Sequence, residues 1–299
     1  MPLAAFPKCY LDHLCVDHTM SVEEWLEMAL ELDVDGHEFY WGFTPQENPR
    51  ALERLRRSVE DQGRQIAMMC YSSDFTKPDN DGRREEVARQ KRAVEVTQAL
   101  GAQYCRVLSG QRRPDVSREQ GLAWVVDCIH ESLDFAGQND VTLILENHYK
   151  DGYWDYPEFA QRTDVFLELV DRIGDHEAFG VNYDPSNAVI GGDDPIELLE
   201  AVKDRVVTMH ASDRYFEGGT LDDLKGREVH PQKGYADILK HGVVGEGLND
   251  YDRIFSILNG AGFQGWISIE DGDDPEKGIE NLAASVDFVR KKMRVHGLK

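Results

Sequence analysis

A chain of 299 residues with 41% hydrophobic content can bury one large core, and α/β barrels of this length commonly form a single domain. Its 56 Asp and Glu against 33 Lys and Arg give a net charge of −23, which opposes polyanionic partners: nucleic acid and anionic membrane surfaces. The five cysteines (Cys9, Cys15, Cys70, Cys105, Cys128) include no CxxC pair, and MPLAAFPKCY lacks a basic segment ahead of an apolar one, so a soluble cytoplasmic protein with free thiols is expected.

Strand and helix signals alternate along the chain. Short apolar runs predict strands at Lys8–Leu14, Gly36–Tyr40, Gln65–Cys70, Gln103–Leu108, Val141–Glu146, Phe179–Asp184, Val206–His210 and Trp266–Glu270. Helices are predicted between and after them, at Val22–Leu32, Pro45–Gln62, Arg83–Leu100, Arg118–Gln138, Pro157–Ile173, Pro195–Lys203, Tyr251–Gly260 and Glu276–Lys292. Ser21 with Glu24 three residues on reads as a capping box, and Asp194-Pro195 and Tyr156-Pro157 read as helix starts. Eight strands each followed by a helix is the count of a closed (β/α)₈ TIM barrel, here one domain over 1–299. An open doubly wound sheet would want a Gly-rich first turn, and no GxGxxG follows the first strand. The connection Ala211–Asp250 after strand seven is far longer than usual, and it carries Arg214, Gly218-Gly219, His230 and Gly245-Glu246-Gly247. It is expected to form a lid or substrate wall.

Four runs end in a residue able to bind a metal: Glu146 after VTLIL, Asp184 after FGVNY, His210 after VVTM and Glu270 after WISI. A polar group there must emerge at the sheet rim or stay buried and paired. In a barrel all four would share the C-terminal face, on neighbouring strands roughly 4.8 Å apart. Three carboxylates and one imidazole suit a hard divalent cation, with Mn²⁺ expected ahead of Mg²⁺ or Co²⁺. Such an ion acidifies a C–H beside a carbonyl, and a side-chain base then removes the proton.

The segments ILE, YDPSN, MHASDR, GEG and GWISIE resemble the xylose-isomerase-like sugar isomerase/epimerase superfamily, most strongly from Val141 to Gly272. The resemblance implies a barrel with one divalent metal on Glu146, Asp184, His210 and Glu270. It implies proton exchange by Glu146 and Glu270 through an enediolate, and Arg214 gripping substrate oxygens. Where members of the superfamily carry Asp-x-x-His, this chain has Asp184-Pro-Ser-Asn187, and Asn187 can hydrogen-bond but not exchange a proton. His148, two residues past Glu146, offers a base instead. ENHYKD…YPEFAQ and HGVVGEGLNDYDRIF are also similar to the catalytic subunit of C-glycoside deglycosidases. That branch implies a lyase of 3-keto-glycosides with a small β-sandwich partner subunit; a homo-oligomer is the alternative assembly.

Tyr40, Trp41 and Tyr71 would line the mouth, and His13 could face it; Glu246 could reach a ligand, although a tight turn explains Gly-Glu-Gly equally well. DGDDPEKG after Glu270 reads as a turn and helix start. An endonuclease-IV-like repair enzyme would need more ligands and a basic face, and an inactive barrel serving as a binding module would hold no metal.

Overall fold

Eight parallel strands close on themselves in the computed structural model, which describes residues 1–224, 234–270, 272 and 274–298. They are β1 (Leu3–Ala5), β2 (Gly36–Tyr40), β3 (Gln65–Cys70), β4 (Tyr104–Val107), β5 (Thr142–Glu146), β6 (Phe179–Tyr183), β7 (Val206–Ala211) and β10 (Trp266–Ile269). An antiparallel hairpin of β8 (Asp213–Phe216) and β9 (Leu239–Gly242) stands between β7 and β10. Closure is direct, with Ala4 of β1 opposite Ser268 of β10. The fold is the TIM barrel expected.

The helices begin where the sequence supplies caps. Ser21 and Glu24 form a reciprocal capping box, as do Ser117 and Gln120, and Asp194 caps the helix that Pro195 opens. Residues two apart on a strand face the same way, so Ile144 and Glu146, Tyr104 and Arg106, and Thr208 and His210 point together into the barrel. Below, the interior is apolar, with Ala4, Met68, Ile144 and Trp266 in one cluster. At β2, Gly36 admits the Trp266 ring: an added Cβ would lie 2.4 Å from Gln65 O and 2.8 Å from that ring.

Two expectations fail. The first strand is Leu3–Ala5, and Lys8–Cys15 is helical. Pro7 has no N–H to give a ladder, and the buried Tyr10 and Leu14 lie at helical i, i+4 spacing. The helix expected from Pro157 starts at Thr163, because Glu158 bridges Gln111 in the loop after β4 and the chain then turns at Phe159–Ala160. There Arg112 N donates to Pro157 O at 2.8 Å and Phe159 N to Gly110 O at 2.7 Å. His230, Asp271 and Asp273 lie outside the described residues. Among the described residues no helix is long and apolar enough to cross a membrane.

Candidate metal centre and its surroundings

Glu146, Asp184, His210 and Glu270 come together, with one ligand atom from each lying within 4.8 Å of the others. All four are buried. His210 Nδ1 sits 3.2 Å from Glu146 Oε1, 3.3 Å from Glu270 Oε2 and 3.8 Å from Asp184 Oδ2. On its other side Nε2 lies 3.2 Å from Glu38 Oε2. The alternation of β2 turns Glu38 inward at this level, where Cys70 Sγ donates to Glu38 Oε1 at 3.0 Å. A carboxylate behind a ligating imidazole fixes which ring nitrogen is free to bind.

Two cations claim the outer oxygens of the glutamates. Arg106 Nη1 donates to Glu146 Oε2 at 2.9 Å, and Lys8 Nζ donates to Glu270 Oε1 at 2.5 Å. Neither cation was anticipated from the sequence, although an arginine inside QYCRVL was the available signal. Asp184 caps the short helix Pro185–Gly191 and accepts from the Ser212 hydroxyl at 2.7 Å, with no Lys or Arg paired to it among the described residues. Burial first, then the charges of Glu270 and Glu146, push its carboxyl up to about 7. Burial opposes charge on His210, yet Glu38 and Glu146 hold its pKa well above the ordinary value. The group is thus short of positive charge at its centre, and its oxygen-rich donor set fits a hard divalent cation.

The cap on Pro185–Gly191 brings Asn187 back toward β5, where its Nδ2 donates to Glu146 Oε1 at 3.1 Å. His148 is buried and stacks on Tyr149, ring centroids 5.0 Å apart. A cavity of about 410 Å³ opens from Glu270, Arg106 and His148 outward past Tyr40 to Val16 and Tyr153. Tyr40 OH donates to Asp151 at 3.3 Å. Trp41 packs edge-on against Tyr71, whose hydroxyl turns to the buried Glu86, so neither lines this cavity. His13 sits on the helical stretch beside Tyr10 rather than at a strand end.

The hairpin stands on the C-terminal rim, and Tyr235 reaches across to Tyr149 with ring centroids 5.6 Å apart. Arg214 is buried between these rings, 4.3 Å from the Tyr235 centroid, and Nη2 lies 2.9 Å from His241 Nε2. Glu246 is exposed on a turn whose function is visible: Gly245 N and Gly247 N donate to Asp213 Oδ2 at 3.0 and 3.1 Å. The turn reading of Gly-Glu-Gly therefore holds, and the Glu246 carboxylate is not brought to the cluster.

Barrel, rim position and polar cluster together define a TIM barrel with a candidate metal site at its C-terminal rim. Over residues 26–292 the chain matches the xylose isomerase-like TIM barrel family, and it belongs to that family. An inosose dehydratase of Bacillus thuringiensis (strain Al Hakam) is 23% identical over 262 residues, 82% of each chain. D-psicose 3-epimerase with D-tagatose from Clostridium cellulolyticum H10 superposes with a TM-score of 0.75 at 14% identity, covering 98% of this chain and 99% of that one. An IolI protein with a bound zinc atom gives 0.74 at 18% identity, covering 99% and 98%. At these identities the structural likeness shows the fold alone.

Proposed function

We propose that this protein is a divalent-metal-dependent enzyme, one barrel domain acting in the cytoplasm, that abstracts a proton α to the carbonyl of a sugar or keto-sugar. The observation that carries the reading is the convergence of Glu146, Asp184, His210 and Glu270 beside an open cavity. These residues would hold the ion, Mn²⁺ by preference, and bound there it would supply a Lewis acid to the carbonyl oxygen. Arg214 and Asn187 would orient substrate oxygens, and Tyr40 would form part of the wall. In an isomerase or epimerase, Glu146 and Glu270 pass the proton between two faces of the substrate. The names of the relatives, a dehydratase and an epimerase, are compatible with a shared first step.

Specific contacts favour a second outcome, elimination from a 3-keto-glycoside with His148 as base. Arg106 and Lys8 pair with the two glutamates, and hydrogen bonds to a carboxylate lower its basicity. Asn187 cannot exchange protons, whereas His148 lines the cavity beside Glu270. The cavity's outer wall of Leu11, Val16 and Tyr153 suits an apolar substituent on the sugar.

The test is incubation with Mn²⁺ in D₂O of D-psicose, an inosose and phenyl 3-keto-β-D-glucopyranoside. Deuterium entering the carbon beside the carbonyl, or release of phenol, is expected, and neither with any substrate defeats the proposal. Release of phenol that falls about 10²–10⁴-fold in His148→Ala supports elimination. Epimerisation surviving in that variant, without phenol from either protein, supports the two-glutamate route.

A further inference from the structure

Glu158 is a fully buried acid to which the proposed chemistry assigns no task. Its backbone N–H donates to Tyr149 O at 2.8 Å, and it pairs with Gln111 in an antiparallel bridge. Its Oε1 accepts from the backbone N–H of Ser109 at 2.7 Å and from the Ser109 hydroxyl. The carboxyl group is therefore fixed by the loop after β4 and by the bridge that Glu158 makes to it. Its second oxygen, Oε2, has no partner within hydrogen-bonding distance among the described residues. Facing it at 3.9 Å is His148 Nδ1, also buried and also without a partner among the described residues.

Two buried polar atoms left unsatisfied each carry a desolvation penalty, and here each is the other's nearest remedy. A small side-chain shift would bring them to the ~2.9 Å of an N–H···O bond. Hydrogen bonds of catalytic pairs are often long before a ligand binds. Stacking on Tyr149 holds the imidazole plane, so the pair lacks only that closure. Burial pushes the Glu158 carboxyl up to about 8, against the bonds from Ser109, and closing the pair, by adding one more donor, would bring it back toward the charged form that accepts the Nδ1–H.

We propose that Glu158 is the positioning residue for His148, its Oε2 accepting the Nδ1–H and leaving the Nε2 lone pair free as the base. This inference rests on the elimination reading. In that reaction the α C–H bond breaks, its proton goes to Nε2, and its electron pair forms the enolate. The Nδ1–H remains on the ring, and its bond to Glu158 strengthens as the ring becomes an imidazolium. The enolate then re-forms the carbonyl as the bond to the leaving group breaks, and the proton on Nε2 passes to that group.

The experiment uses full-length protein carrying ¹⁵N-histidine and Mg²⁺, with the His148 ring signals assigned by comparison with His148→Gln. The expected wild-type ring is the Nδ1–H tautomer. In Glu158→Leu and Glu158→Gln the Nε2–H tautomer should grow, and Glu158→Asp should restore the original signature in part. With phenyl 3-keto-β-D-glucopyranoside, Glu158→Gln should lower kcat by at least roughly tenfold while leaving KM unchanged. An Nε2–H ring in the wild type, or a tautomer indifferent to Glu158→Gln, overturns the assignment, and the wild-type spectrum decides even if a variant fails to fold. Full phenol release by His148→Ala would instead defeat the elimination reading on which the assignment stands.

Discussion

The two ends of the barrel bury ionisable groups on opposite terms. At the N-terminal end His37 is fully buried under Trp25, and Arg64 spends its donors on Ala29 O and Leu32 O at 2.7 Å each. Burial, then the Arg64 charge, pushes the His37 pKa down to about 3, so a neutral ring sits beside a satisfied cation. At the C-terminal end four carboxylates surround one imidazole, and among the described residues only Glu146 and Glu270 are paired with an Arg or Lys. The first arrangement carries no surplus of charge as folded. The second is short of positive charge, and that difference is the one expected between a structural end and a functional one.

The sharpest way to break this contrast is Asp184→Asn, which removes the carboxylate of the candidate metal cluster that has no Arg or Lys paired to it among the described residues. Turnover should fall by several kcal/mol of transition-state stabilisation, on the order of 10³-fold, while His37→Gln leaves turnover unchanged. Steady-state rates of the two variants at saturating Mn²⁺ would check this. A ligand that binds only the folded state stabilises it, by about 2.7 kcal/mol at 100 times its Kd. Urea titration with and without Mn²⁺ should show that gain in the wild type and lose it in Asp184→Asn. Equal gains in both would place the ion elsewhere.

The contrast also explains what the sequence could disclose. Glu146, Asp184, His210 and Glu270 were legible because each interrupts an apolar run at its end, where burial demands a partner. The barrel was legible because eight such runs alternate with helical spacing. Cys9, Tyr10 and Leu14 read as an apolar run that draws Lys8 into a predicted strand, while the true first strand, Leu3–Ala5, is three residues without β-branching. Glu38 and Arg106 point inward through strand parity, which needs the register to be known. The pairing of Glu158 with His148 depends on an extended crossing of the loop after β4, and no local periodicity encodes that crossing.

A smaller effect should appear at the N-terminal end with Gly36→Ala. The new methyl group would meet Gln65 O and the Trp266 ring, and overpacking of this kind costs about 1–3 kcal/mol. Denaturant unfolding should register the loss, with Mn²⁺ affinity by calorimetry unchanged. A loss of affinity matching the loss of stability would mean that the two ends are coupled through the barrel wall.

The last distinction is in pH. The His37 pKa is about 3 when folded and about 6.5 in the unfolded chain, so the unfolded state takes up the proton first as pH falls. This contribution to stability is therefore whole above pH 6.5 and declines by about 1.4 kcal/mol per unit below it, down to pH 3. The Asp184 carboxyl runs the other way: raised to about 7, it takes up its proton in the folded state first, so metal-free protein gains stability from that group as pH falls through 7. Subtracting the unfolding free energy of His37→Gln from that of the wild type, both in EDTA between pH 7 and 4.5, cancels the contribution of the mouth. The difference should narrow steadily toward acid. A difference independent of pH would show that the ring is already charged in the fold, and the N-terminal end would then be no more self-contained than the metal centre.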